Sequence, residues 1–467
     1  MPSNTRLIPL IIASALFMEN MDSTVIATAL PAIAADLGTD AIVLKLAFTT
    51  YLLSLTVFIP VSGWCADRFG ARHVFRAAIA VFTLGSIACG AADSLGALVA
   101  ARAVQGIGGA MMVPVGRIIL LRAIPKSELV DALAWLTIPA LLGPLVGPPI
   151  GGLITDLVGW RFVFWMNVPF GIAAIAFATT LMPDTRVEKV PPLDMKGFFL
   201  SAIGLSATVF GLTIMGRDLL PGGAPSVLVV LGGAILYLYL RHARGTASPI
   251  LDLRLLRIET FRAGVLGGSL FRIGVGAVPF LTPLLFQLGF GLSAFQSGMI
   301  TCAAAAGAIT MKFPAAWLIR RFGFRSLLIR NGLAASLSIV AMALLTPTTP
   351  LAIVLPLLFA GGFLRSLQFT GMNAMAYADV EHDAMSHATS LYTVIQHLSL
   401  SAGVVAAALV LEAAQFWRGE ATLTVTDFAI AYLVVGAIAI TSLRQFTGLE
   451  ADAGASVSGR GSRPLNK

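Results

Sequence analysis

Apolar stretches of about 20 residues, separated by short punctuations of charge, recur along this chain from Leu7 to Ile440. Each is long enough to cross the hydrocarbon core of a bilayer as a helix. In lipid every backbone N–H and C=O must be satisfied within the chain, so only helices and closed barrels can span. The stretches lack the two-residue alternation of lipid-facing strands, which argues against a barrel. Composition agrees: 57% of the residues are hydrophobic and 12% charged, more apolar surface than a soluble core of this size needs. The expected fold class is an all-α polytopic membrane protein.

Between charged punctuation the runs number about fourteen. Six lie near 7–33, 42–64, 74–92, 95–121, 130–157 and 162–182, and two near 198–215 and 226–240. Six more lie near 263–290, 297–319, 326–345, 352–370, 388–411 and 428–443. The sequence Asp67-Arg68-Phe69-Gly70-Ala71-Arg72 after the second run is echoed by Arg320-Arg321-Phe322-Gly323-Phe324-Arg325 after the tenth. Such an echo points to duplication, and parallel repeats about an axis along the membrane normal frame the central site of many secondary transporters. The expected organisation is a six-helix bundle over 1–182, a linker with two inserted helices over 183–250, a second six-helix bundle over 251–444, and a disordered tail over 445–467.

The formal net charge is +8. The cations are dispersed over short loops instead of forming one face, so the positive-inside rule accounts for them better than a nucleic-acid partner does. Arg68, Arg72, Arg76, Arg117, Arg122, Lys126, Arg186, Lys189, Lys196, Arg241, Arg244, Arg254, Arg257, Arg320, Arg321, Arg325 and Arg330 share one side, against little beyond Lys45, Arg161, Arg217 and Arg418 on the other. The first side is expected to be cytoplasmic, with both ends there because the number of spans is even. The first run is too long for a cleavable signal and is broken by Glu19, Asn20 and Asp22, so it should remain as the first span. Cys65, Cys89 and Cys302 have neither metal-ligand nor paired spacing and are expected to be packing residues, with no disulfide and no metal.

Four segments carry a resemblance. Met21-Asp22-Ser23-Thr24-Val25-Ile26-Ala27-Thr28-Ala29-Leu30-Pro31 lies in the first span and Gly63-Trp64-Cys65-Ala66-Asp67-Arg68-Phe69-Gly70-Ala71-Arg72 after the second. Arg102-Ala103-Val104-Gln105-Gly106-Ile107-Gly108-Gly109 is in the fourth, and Gly143-Pro144-Leu145-Val146-Gly147-Pro148-Pro149-Ile150-Gly151-Gly152 in the fifth. In this order, with Trp160-Arg161-Phe162-Val163-Phe164-Trp165-Met166-Asn167-Val168-Pro169-Phe170-Gly171 after them, they resemble the major facilitator superfamily, in its fourteen-helix drug:proton antiporter branch of the EmrB/QacA type. Within that branch the chain is similar to the MdtD and HsrA group of bacterial exporters. The match covers nearly the whole chain. It implies two six-helix bundles plus two inserted helices in a bacterial inner membrane. The implied activity is proton-driven efflux of small molecules such as drugs by alternating access, without a cofactor and as a monomer.

The residues give that expectation a mechanism. Asp22 falls mid-span, where an unpaired carboxylate is costly and tends to take up a proton, so it is the candidate coupling residue; a helix bend capped through Thr24 is the alternative. Glu19, three residues earlier on nearly the same face, could share that proton or sit exposed to water. Arg102 cannot lose its proton and needs an acidic or backbone partner. Pairing with Asp22 would tie proton release to helix movement, and the resemblance makes Arg102 the coupling element. Gly63, Asp67, Arg68, Gly70 and Arg72 form the expected cytoplasmic gate, with Asp67 held by a base such as Arg117 or by a helix N-terminus. Arg320 stands where Asp67 would in the second copy, which leaves the latch to the first. Gly143, Gly147 and Gly151 recur every four residues, with Gly152, Pro144 and Pro148 beside them, and are expected to let a helix of the other half approach closely.

In the second half Arg272, Arg365, His397 and Lys312 lie deep in apolar runs, while Asp379, Glu381 and Asp383 cluster in a loop. With Gln287, Gln368, Asn373 and Gln396, the first three make up the expected substrate cavity. Its charge suits anions or zwitterions better than lipophilic cations, so export of small organic anions or metal chelates is a second expectation for the cargo. Snorkelling, or pairing with helix carbonyls, is the alternative for the arginines. An enzyme would need a reactive cluster, and His382, Asp383 and His387 lack a nucleophile partner.

Overall fold

The computed structural model describes residues 3–124, 129–183, 190, 192–215, 223–381, 384–420 and 422–450, with side chains from Ile8 onward except over 129–141. Of the expectations above, Lys126, Arg186, Lys189, Arg217, the His382–Asp383 pair and the tail from Ala451 lie outside the described residues. Helix follows helix: α1 Ser3–Asp36, α2 Lys45–Phe69, α3 Ala71–Gly90, α4 Leu95–Ala123, α5 Leu129–Leu157, α6 Arg161–Trp165, α7 Asn167–Leu181, α8 Met195–Ile214 and α9 Ala224–Gly245. Then come α10 Glu259–Arg262, α11 Gly268–Leu284, α12 Ala294–Thr310, α13 Ala315–Phe322, α14 Phe324–Ala341, α15 Leu351–Ala376, α16 Met385–Arg418, α17 Val425–Thr441 and α18 Leu443–Thr447. No strand occurs among the described residues.

Twelve of the described helical stretches are long and apolar enough to cross a membrane, or thirteen when α12 and α13, bent by 60°, are one broken span. α5 is a further helix of 29 residues, part of which has no described side chains, and stands outside that count.

Local chemistry sets the ends. Ser94 caps α4 by accepting from Ala97 N at 3.3 Å, and Thr424 and Asp427 close a capping box on α17. The two echoed loops share a device: Gly70 (φ 91°) and Gly323 (φ 72°) stop one helix and start the next without a linker. That backbone region is open to glycine and strained for other residues. A π-helical turn, Leu285–Gly289, follows Pro283, whose missing N–H breaks the regular ladder of α11.

The described residues divide into two compact units, Met1–Ile250 with Leu292–Met299, and Leu251–Gly291 with Ile300–Lys467. The inserted hairpin α8–α9 belongs to the first. Phe198 of α8 meets Phe58 of α2 with ring centroids 6.0 Å apart, whereas 11% of the spanning window of α9 is buried, which leaves most of that helix facing outward. Inside the first unit α1 packs on α5, and α4 on α2 and α3, around Ile12, Phe75, Phe82, Val115 and Leu120. Lipid is as apolar as these side chains, so close van der Waals packing holds the helices together. The glycines permit it. A Cβ on Gly85 would stand 2.7 Å from Gln105 Cα, and one on Gly108 2.4 Å from Phe82 N.

Candidate functional site: a buried carboxylate and guanidinium in the first unit

Asp22 and Arg102 meet inside the first unit, as expected. Arg102 Nη1 donates to Asp22 Oδ2 at 2.7 Å, with the two side chains 0% and 1% exposed. α1 runs unbroken past Asp22, and Thr24 returns its hydroxyl to Met21 O at 2.9 Å, so the carboxylate is not a local cap. Asp22 Oδ1 accepts from Gln105 Nε2 and from Asn167 Nδ2, each at 2.8 Å. Ser86 Oγ receives the same two amides, at 2.7 and 3.3 Å. Arg102 Nη1 also reaches Gln105 Oε1 at 2.5 Å, and its guanidinium lies 4.2 Å from the centroid of the Tyr51 ring. Five helices thus contribute to one buried polar node: α1, α2, α3, α4 and α7.

The node is incompletely satisfied. Arg102 Nη2, Asn167 Oδ1 and Tyr51 Oη have no hydrogen-bond partner among the described residues. Glu19 lies outside it, half-buried, with Oε2 likewise without a partner. The sequence alone did not single out Tyr51, Ser86, Gln105 or Asn167. Asn167 lies inside the Trp160–Gly171 segment, which is the signal that could have drawn attention to it.

Two staples flank the node. At the end of α2, Asp67 pairs with Arg122 of α4 at 2.6 Å, both about one-third exposed. The expectation was a helix N-terminus or a base such as Arg117; the base is Arg122. An acid in the last turn of α2 faces the negative end of the helix dipole, and the base that reaches it is in the last turn of α4. Gly63 lies 4.0 Å, counted from an added Cβ, from Ile118, and Arg68 is exposed. Arg72 donates to Met182 O at 3.1 Å and so ties α3 to the end of α7. At the opposite end, Arg161 pairs with Asp36, donates to Ala92 O at 3.2 Å and lies 4.4 Å from the Trp160 ring centroid, while Trp160 donates to Asp36 at 3.1 Å. Lys45, expected in a loop, is buried at the start of α2.

The glycine face of α5 corrects an expectation. Gly143, Gly147 and Gly151 seat α1: a Cβ on each would stand 3.1 Å from Asn20 Cβ, 2.2 Å from Thr24 Oγ1 and 2.5 Å from Val25 Cγ1. This seat presses α1 into place one turn either side of Asp22. Gly152 lies elsewhere on α5, where a Cβ would meet Ala294 O at 2.3 Å, and a Cβ on Gly298 would meet Pro148 O at 2.1 Å. Ala294 and Gly298 belong to the 292–299 stretch that clusters with the first unit. Pro144 and Pro148 are half-buried beside them.

In the second unit the expected cavity residues separate. Arg272 is fully buried and donates to the Tyr392 hydroxyl, which donates in turn to Asn373 Oδ1. Gln368 is not a cavity residue: it is fully buried between α14 and α15, accepting from Asn331 Nδ2 and donating to Leu328 O, both at 2.9 Å. Every polar group it has faces helix packing. Arg365, Gln287, Gln396 and His397 are half-buried on α15, the π turn and α16, and His397 Nδ1 has no partner. Lys312 donates to Thr370 at 3.1 Å from the bend between α12 and α13.

Known proteins agree with this architecture. The family model described as Major Facilitator Superfamily matches residues 12–404. The "Putative multidrug resistance protein MdtD" of Escherichia coli O17:K52:H18 is 37% identical over 415 residues, 88% of this chain and 87% of that protein. Its namesake from Klebsiella pneumoniae strain 342 is 36% identical over 466 residues, 97% of each. Among solved structures, the POT family transporter PepTSo superposes with a TM-score of 0.70 at 15% identity, covering 98% of this chain and 99% of that one. A D-xylose-proton symporter gives 0.67 at 14%, covering 97% and 98%. At such identities the likeness is one of fold. With a family model over most of its length and relatives above one-third identity over nearly all of it, the chain belongs to the Major Facilitator Superfamily, a family of transporters and not of enzymes.

Proposed function

We propose that this protein is a secondary active exporter that exchanges protons for small molecules, such as drugs, by alternating access in the bacterial inner membrane. The observation that carries the reading is the Asp22–Arg102 pair in its buried node. A carboxylate here is tolerated because Arg102, Gln105 and Asn167 all donate to it. Protonating Asp22 would cancel its charge and leave Arg102 buried without a counter-ion, and a fully buried guanidinium alone is unfavourable. The node therefore gives proton binding a direct grip on how α1 and α4 sit together, with the tight α1–α5 seat and the Asp67–Arg122 pair as parts that resist or release that movement. The names of the MdtD relatives support efflux of drugs as the direction and cargo. In this reading α5 and the broken α12–α13 pair are also spans, which would make fourteen, with both ends cytoplasmic, and the protein acts as a monomer driven by the proton gradient alone.

The test uses inverted membrane vesicles energised to an acidic lumen, with a pH-sensitive dye and a panel of lipophilic cations and carboxylates. A transported compound releases protons from wild-type vesicles. Asp22→Asn is expected to abolish that release while the protein remains folded and inserted. Undiminished exchange in Asp22→Asn would remove Asp22 from the mechanism.

A further inference from the structure

The second unit contains a buried cation with no counter-ion among the described residues. Arg272 is 0% exposed, its Nη2 donates to the Tyr392 hydroxyl, and Nε and Nη1 have no hydrogen-bond partner. No carboxylate among the described residues pairs with it. Aromatic faces lie against the guanidinium, Tyr392 at 4.6 Å and Phe369 at 5.8 Å to the ring centroids, and Gly268, one turn earlier on α11, leaves room for Nη1. Arg102 in the first unit is as deeply buried, but Asp22 neutralises it. A guanidinium cannot shed its proton, and burying one unpaired is expensive, so a membrane protein that keeps such a group ordinarily uses it.

We propose that Arg272, Tyr392 and Asn373 form a carboxylate-binding site, with the organic part of the ligand against Phe369 and Phe271. This rests on the export reading only in naming the carboxylate as cargo; binding itself does not depend on it. Guanidinium carries five N–H donors in a planar fork that matches a carboxylate, and here most of them are unused. The Tyr392 hydroxyl occupies the one donor nitrogen in use, accepting from Arg272 and donating to Asn373. It acts as a neutral plug: an arriving carboxylate displaces the hydroxyl and takes the guanidinium in two hydrogen bonds, and the Asn373 amide, released from Tyr392, can donate to one carboxylate oxygen. Phe271 and Phe369, with ring centroids 6.1 Å apart edge to face, supply an apolar shelf beside the charge. The ligand class is thus a small acid with an aromatic or aliphatic body, and a lipophilic cation is rejected by the same charge.

The experiment measures thermal unfolding of the purified full chain in detergent, by tryptophan fluorescence, over a concentration series of benzoate, with tetraphenylphosphonium as the counter-probe. Benzoate is expected to raise the midpoint in a saturable way and tetraphenylphosphonium is not. Arg272→Gln should weaken benzoate at least tenfold and, by removing an unpaired charge, leave the unliganded midpoint unchanged or higher. Tyr392→Phe keeps the ring and removes the plug, so benzoate should bind as well or better. The proposal is overturned by absence of a benzoate shift in the wild type, by an equal shift in Arg272→Gln, or by weaker binding in Tyr392→Phe. Asp22→Asn should bind benzoate normally, so loss of proton exchange in vesicles and loss of carboxylate binding are separate outcomes.

Discussion

Asp22 accepts from three side chains on two other helices, and each donor has its own weight. Removing Arg102 alone leaves a buried carboxylate without its counter-ion, and such changes cost about 3–5 kcal/mol. Arg102→Met is expected to lower the unfolding midpoint in detergent sharply, and adding Asp22→Asn to it should recover part of the loss. A double mutant that loses the full sum of both single changes would show that the two residues do not act on each other. Asn167→Ala removes one charge-assisted hydrogen bond, worth about 1.5–3 kcal/mol, and should shift the pH dependence of exchange without ending it. Asp22 and Arg102 were legible in the sequence because a charge inside an apolar run has to be accounted for. Ser86 was not. A serine in a spanning helix ordinarily returns its hydroxyl to its own backbone, as Ser62 does to Ile59 at 2.6 Å, and no local pattern tells the two apart.

At the scale of elements, the α5 glycines are seats for named atoms. Gly147→Ala would place a Cβ 2.2 Å from Thr24 Oγ1, so Thr24→Ala should rescue much of its stability loss. Gly108→Ala instead meets backbone, Phe82 N at 2.4 Å, and no side-chain change should rescue it. Equal rescue in both, by unfolding midpoint, would mean that these contacts do not limit the packing. The inserted hairpin is pinned by Asp194, 8% exposed, which caps α8 through Gly197 N at 2.9 Å and contacts His242 of α9 at 2.8 Å. Burial pushes the Asp194 carboxyl up, but His242 and the backbone N–H groups of Gly197 and Ile250 outweigh it and hold it below the usual carboxylate range. A lowered folded-state value means that the stabilisation is present above the usual carboxylate range and is lost as pH falls through the lowered one. Asp194→Ala should cost about 1 kcal/mol at neutral pH, read as earlier proteolysis of the α8–α9 hairpin, with the difference from wild type vanishing in strong acid.

For the whole molecule, the distribution of Lys and Arg predicts which way it is inserted. Alkaline phosphatase fused at Asp40, in the turn after α1, should be active, and the same enzyme fused after Glu450 inactive. The opposite pattern would reverse the orientation and with it the direction assigned to proton flow. The Asp67–Arg122 pair is about one-third exposed at each partner and should contribute no more than about 1 kcal/mol to stability. Its effect belongs to the transport cycle. Asp67→Asn should change the exchange rate far more than the midpoint of unfolding, and restoring rate with the charge swap Asp67→Arg with Arg122→Asp would identify the pair as the latch.

The sequence by itself determined the solvent, the helical class and the buried Asp22–Arg102 pair, because each of these follows from periodic apolarity or from an ion where none is cheap. Tertiary structure decided the partners. It gave Asp67 the base Arg122, turned the Gly143–Gly147–Gly151 face toward α1, put Gln368 into helix packing, and left Arg272 without a carboxylate among the described residues. Which face of a helix meets which neighbour depends on crossing distances of a few ångströms between segments far apart in the chain, and an apolar run written in one dimension does not contain them.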